Sequence, residues 1–580
     1  MGDGRKVLAS WIWLLFYFVP ATPICPAKCS CRDEALAAAC VEAGLEVIPN
    51  LLNPGVEIID LSGNRISGFH HYALNIYANL KKLDVSLNKI QTLGSKNFEA
   101  QGKLEVMNVS NNQITTLGKD AFRGLKSLRT LDLSHNRIDR VKHGSFKDTA
   151  DLQVIDLSHN KLISFEDPTV FSAITSLKSL YLHSNQIIDV PSALLKNLPH
   201  PCVLETLTLT DNLIEAIEGK SFPSPCTNTL KYLSLGSNVI KDIEKSAFNS
   251  LYNLKQLDLS FNNLTFIPTQ QLAKLNLLSE LDLSGNTFSS VRPVAFQSLF
   301  QLKTLRLCKM PYMERIDSRA FVDNTRLEAV VIDDNLQLTR IPTRIFYRNS
   351  QLRYVSMKSN ALTTLDASHF PLDQLRVLDL SDNPLYCNCS LHWLWDMAQV
   401  DSKIINATPV SINNDSTTAS PEEMKPQLRV IVTDLRCANP ESLRGHLLTE
   451  IPESTVRCEA TWLTVAIITG LVLALFAATC VVLLLFGSER KLCWCKKGKQ
   501  DNDPTVDTRR LAAGLHAPSG PPPILMLMPE KHYRDAILTN YMKSDGDIKM
   551  VEPWLNGESR QNEYTVDMAP ARKKPHIVYV

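Results

Sequence analysis

Seven aspartates, Asp60, Asp84, Asp132, Asp156, Asp258, Asp282 and Asp379, recur at steps of 24 residues or close multiples of it. A base often stands three residues before the same slot, as at Lys81, Arg129, Lys178, Lys231, Lys255, Lys303, Arg353 and Arg376. Carboxylates can bind hard cations or move protons, but a cation loop gathers several within about a dozen residues. Here they come one per repeat with basic neighbours, which reads as a solvated ladder of alternating charge. No phosphate-binding loop, nucleophile elbow, His-Glu-x-x-His or zinc-type spacing occurs. The chain is therefore expected to be no enzyme and to need no cofactor or metal. Its formal net charge of +1 gives no case for nucleic acid.

Two interruptions of the acidic slot stand out. Tyr181, Thr208 and Ser234 replace it in succession, with Tyr232 alongside; Arg306 and Val331 replace it further on, with Tyr354 nearby. Tyrosine and arginine are favoured anchors of protein interfaces. These seven residues are the expected contacts for a protein ligand.

Cysteines and sequons mark an exported segment. Eleven cysteines precede residue 460, an odd number. Cys202 and Cys226 sit in loops just before neighbouring repeats, where adjacent coils can bring them within disulfide reach. Cys308 is left over, either a small buried thiol or an intermolecular bridge. Asn108, Asn263, Asn388, Asn406 and Asn414 open N-x-S/T sequons.

The elements that position these residues follow from the repeat itself. Apolar residues at positions 1, 4 and 6, then Asn at 9, begin at Val56, Leu80, Leu104, Leu128, Leu152, Leu177, Leu204, Leu230, Leu254, Leu278, Leu302, Leu327, Leu352 and Leu375. That makes fourteen units, of which thirteen keep the Asn. Positions 4 and 6 point to one side of a short strand, and position 5 to the other. One unit cannot bury its apolar side alone; stacked units can. A later beat, Phe122, Leu125 and Leu128, closes the coil. The unit at Leu302 breaks the phrase, with Met310 in the Asn slot and Cys308 in the usual Ser slot; an extra residue there and in the next unit predicts a two-unit kink.

This pattern resembles the leucine-rich repeat family in its extracellular 24-residue form. The resemblance implies an α/β-type solenoid with a curved parallel β-sheet on its concave face. "CPAKCSCRDEALAAAC" and "NPLYCNCSLHWLW" with "CANPESLRG" are similar to the family's cysteine caps, whose pairing would join Cys25–Cys31, Cys29–Cys40, Cys387–Cys437 and Cys389–Cys458. Sequence alone allows three connectivities per cap. A polar insertion within the second cap, around residues 406–426, is expected to be flexible.

Two apolar segments address the chain. Residues 1–21 read as a signal peptide. Residues 22–55 are then the first cap, 56–383 the fourteen repeats and 384–460 the second cap. Residues 461–486 carry no charge and are long enough to span a bilayer, with Arg490, Lys491 and Lys496 beyond them. This predicts a single-pass type I plasma-membrane protein with its N-terminus outside. Ala466, Gly470, Ala474 and Ala478 form a small-residue stripe suited to self-association. Cys493 and Cys495 suit palmitoylation. Residues 487–580 read as a disordered cytoplasmic tail, ending in Val578, Tyr579 and Val580, a candidate PDZ ligand. The expected function is a cell-surface receptor or adhesion protein whose tail couples to scaffolds, similar in architecture to Tartan, Capricious and trophoblast glycoprotein. The alternatives are an apical matrix organiser and an innate pattern-recognition receptor.

Overall fold

A computed structural model describes residues 25–70, 73–223, 226–406, 429–431, 435–457 and 461–486. Contacts divide the chain into Met1–Val481 and Val482–Val580. The signal, the insertion from 407, the palmitoylation candidates Cys493 and Cys495, and the C-terminal Val578, Tyr579 and Val580 lie outside the described residues.

The first unit is a parallel β-solenoid. Each repeat contributes one three-residue strand, from Ile58–Asp60 to Val377–Asp379, and neighbours pair in parallel without slippage, so that position 5 always faces position 5. Positions 4 and 6 fall on the buried side: Leu131 and Leu133, like Leu257 and Leu259, are essentially inaccessible. The closing Phe residues stack as a second interior row. Phe122 and Phe146 lie 5.0 Å apart, Phe296 and Phe321 5.8 Å, and Phe321 and Phe346 5.7 Å.

The Asn at position 9 binds coil to coil. Asn136 Oδ1 accepts the Ile114 N–H of the preceding coil at 3.0 Å. Its Nδ2 donates to the carbonyls of Val109, Leu133 and Ser134 at 3.0, 3.1 and 3.2 Å. The residue before it takes positive φ in every coil, including Leu87, His135, Phe261 and Asp382 at 55°, 52°, 51° and 56°. Gly, Asn, Asp or His, which tolerate this left-handed turn, fill eight of the fourteen slots; at others, such as Leu87 and Phe261, the surrounding hydrogen bonds hold it. Where Met310 replaces Asn, Asn335 Oδ1 of the next coil still accepts the Met310 N–H at 2.9 Å.

Both ends are closed. Antiparallel Ser30–Arg32 and Ala37–Ala39 cover the first strand, with disulfides Cys25–Cys31 and Cys29–Cys40. At the other end Cys387–Cys437 is formed, and Cys389 is also disulfide-bonded; Cys458, its expected partner, lies outside the described residues. A strand that the repeat pattern does not announce, Arg429–Ile431, adds beyond Val377–Asp379. Helix His392–Asn406 is held by Trp395 Nε1 donating to Ile451 O at 2.9 Å. Cys202 and Cys226 are bonded across adjacent coils.

Helix Thr461–Phe486 contains one stretch, Val465–Val482, long and apolar enough to cross a membrane.

Candidate functional site

The aspartates of position 5 have a backbone task. Asp60, Asp84, Asp132, Asp156, Asp258, Asp282 and Asp379 each accept the N–H two residues on, at 2.8–3.0 Å. That amide leaves the strand with no ladder partner, and a charged acceptor satisfies it well. The column is thus a row of strand-end caps. Ion pairs form instead within the position-2 column: Lys81–Glu57 at 2.7 Å, Lys231–Glu205 at 2.8 Å and Lys303–Glu328 at 2.9 Å. The expected ladder of alternating charge is therefore split into two rows with separate roles.

Where the caps stop, the side chains are released. Tyr181, Thr208 and Ser234 lie directly opposite one another on consecutive strands, and Arg306 lies opposite Val331. Tyr232 stands between Thr206 and Gln256, and Tyr354 between Ala329 and Val377. Tyr232 and Tyr354 each keep 37% of their surface exposed. A shallow depression of about 360 Å³ joins members of both interruptions, Thr208, Tyr232, Ser234 and Arg306, across Asp258 and Asp282. Tyr181, Val331 and Tyr354 do not line it. Ser234 Oγ donates to Asp258 Oδ2 at 2.7 Å, and a Cβ on Gly236 would come within 2.6 Å of the same oxygen. Gly236 therefore makes room for Asp258 to lean over the preceding coil.

The second interruption has its own support. Lys358 N donates to Asp333 Oδ1 at 2.9 Å, Asp333 N to Cys308 Sγ at 3.5 Å, and Cys308 N to Ser284 Oγ at 3.0 Å. A lateral relay through position 7 thus replaces the local carboxylate cap, which frees Arg306 and Val331. Cys308 is half-buried and free of any disulfide. Burial pushes its thiol up from the usual range and likewise raises the Asp333 carboxyl, despite the Ser356 and Lys358 donors.

Sequence reasoning missed a histidine row beside the first interruption. His135 and His159 stack at 4.0 Å and 9°, and His159 meets His183 edge-on at 5.2 Å. His183 Nδ1 lies 3.3 Å from Thr208 Oγ1, and its ring is 6.4 Å from that of Tyr181. The signal was a histidine every 24 residues. Desolvation between the rings lowers the His159 pKa, the His135 and His183 charges add to this, and Asp156 and Asp211 oppose it. Among the described residues no group of three or more metal-ligating side chains converges on one point.

The sequons differ. Asn108 lies in the sheet, with Nδ2 donating to Asp84 Oδ2 and Oδ1 accepting Ser110 N, both at 3.0 Å. Asn388 Oδ1 accepts Ser390 N at 3.0 Å. Asn263 is exposed, Asn406 ends its helix, and Asn414 lies outside the described residues.

Comparison with known proteins agrees with this geometry. The family model for leucine rich repeats matches residues 78–138, 127–187, 202–264, 228–288 and 325–385. A probable glycoprotein hormone G-protein coupled receptor of Anthopleura elegantissima is 30% identical over 243 residues, 41% of this chain and 24% of that protein. Podocan of Mus musculus is 29% identical over 206 residues, 35% of this chain and 31% of that one. The shared stretch thus spans a third or less of either relative. A solved leucine-rich repeat protein of Leptospira interrogans superposes with a TM-score of 0.51 at 23% identity, covering 60% of this chain and 90% of that one. With its stacked strands, asparagine ladder and disulfide-closed ends, the chain carries a leucine-rich repeat solenoid.

Proposed function

We propose that the chain is a cell-surface receptor or adhesion protein that binds an extracellular protein through the sheet face between Tyr181 and Tyr354. Helix Thr461–Phe486 anchors it as a type I protein, and residues 487–580 act inside the cell as a link to scaffolds, in the manner of the Tartan and Capricious kind of adhesion and guidance receptor. One observation carries the choice of face: the strand-end caps that seven aspartates and Asn108 provide at position 5 stop over two runs, Tyr181 to Ser234 and Arg306 to Ser356, and within them Tyr181, Thr208, Arg306 and Val331 cap nothing. These side chains owe nothing to the backbone and are available to a partner. Their types suit a protein interface, where buried aromatic and arginine anchors dominate affinity. Receptors among the relatives, including the NT-3 growth factor receptor of Homo sapiens at 36% identity over 85 residues, support a binding role.

Full-length protein displayed on cells and compared by proximity labelling with the variant Tyr181→Ala, Tyr232→Ala, Arg306→Ala, Tyr354→Ala tests this reading. Extracellular partners should be lost while surface level is kept. An unchanged set of partners sinks the proposed face.

A further inference from the structure

The flank of the solenoid is laced by short parallel pairs. In these, the N–H at position 15 of one coil, or 16 in the longer coil from Leu302, donates to the carbonyl at position 14 of the coil before: Lys142 to Leu117, Glu244 to Ile217 and Asp317 to Val291, each at 2.9 Å. The coil that starts at Leu254 has Pro268 in the donor slot, which has no N–H to give. Asp242–Ile243 and Ser290–Val291 therefore end their ladders on either side of it. The side chain of Gln271 takes over, donating to Ile243 O at 2.6 Å. The missing strand leaves a groove of about 510 Å³ whose walls include Thr265, Phe266, Gln270, Ser290 and Arg292. Phe266 is 55% exposed at its edge, a large aromatic with no evident packing duty there. An aromatic face beside hydroxyl and amide donors is a surface on which a sugar ring can stack and hydrogen-bond at once.

A sequon adjoins this wall. Thr265 is the third residue of the sequon that begins at Asn263. Asn263 is exposed, and only its backbone is engaged, donating to Ile240 O at 2.9 Å. Asn108, by contrast, has its amide committed to Asp84. We propose that Asn263 carries an N-linked oligosaccharide whose first sugars lie in the Pro268 groove against Phe266, making this flank a glycan-covered face and leaving the sheet to the ligand. The proposal rests on the reading that residues 22–460 are extracellular.

The test uses the full chain expressed in animal cells. Glycopeptide mass spectrometry should find Asn263 occupied in most molecules and more fully than Asn108. Native-state release of the Asn263 glycan by peptide N-glycosidase should be about two- to twelvefold faster in Phe266→Ala, the effect of losing one aromatic contact. Occupancy should be unchanged, which separates contact with the glycan from failure to fold. Glycan at Asn388 with none at Asn263, or a release rate indifferent to Phe266→Ala, overturns the proposal alone. No glycan at any sequon overturns it together with the extracellular reading.

Discussion

Replacing Asn136 with alanine should cost about 2–4 kcal/mol, and the sheet geometry says why the figure is neither smaller nor larger. The side chain is almost fully buried and makes four hydrogen bonds to backbone. Three of those go to carbonyls with a second donor. Val109 O also receives Asn112 Nδ2, Leu133 O also receives Asn160 Nδ2, and Ser134 O also receives Asn111 N. Only the Ile114 N–H depends on Asn136 alone. An orphaned buried amide costs about 1–3 kcal/mol, and the lost redundant bonds add less than their nominal value. Denaturant unfolding of a secreted fragment, residues 22–460, measures the total. Hydrogen exchange of residues 104–136 shows whether the loss is local, as expected for an array in which coils contact only their neighbours. A change under about 0.5 kcal/mol would refute the claim of a single dependent amide. A loss above about 5 kcal/mol would refute the claim of redundancy at the carbonyls.

Two further outcomes follow from titratable groups. The His159 pKa is lowered in the folded chain, so folding favours the neutral ring. That contribution is present in full above the unfolded value of 6.5 and is lost as pH falls through the folded value. Melting temperature should therefore fall less steeply on acidification below that pH in His159→Gln than in the parent; identical slopes would remove the histidine row as a cause. Cys308 should react slowly with maleimide at neutral pH in the folded protein and fast once unfolded, because burial holds it as the thiol. Cys308→Ser, which keeps an acceptor for Asp333 N, should be close to neutral, whereas Cys308→Ala should cost about 1 kcal/mol or more. Equal stability of the two would discard the relay, and a non-reducing dimer lost in Cys308→Ser would show that the thiol bridges two chains instead.

Much of this molecule is written in its period. Apolar residues at 1, 4 and 6 with Asn at 9 dictate a strand, a buried side and a turn. Repetition dictates that coils stack, because no single coil can bury its own apolar side. The register followed as well: Tyr181, Thr208 and Ser234 had to face one another once each opened the same slot of its repeat. What the sequence withheld was the reason for the slot. An aspartate every 24 residues reads equally as a charge ladder or as a cap, since the difference lies in whether its oxygens meet a lysine or the amide two residues on. That is decided by the backbone's path out of the strand, through the left-handed residue at position 8, which the Gly, Asn, Asp and His of some coils suggest but Leu87 and Phe261 do not announce. The same holds for Cys308, whose sulfur serves an amide 25 residues away, and for Pro268, whose missing hydrogen opens a groove in the flank. Sequence period determined which residues share a row; only the packed coils decided what each row is bonded to, and so which side chains are left over for a partner.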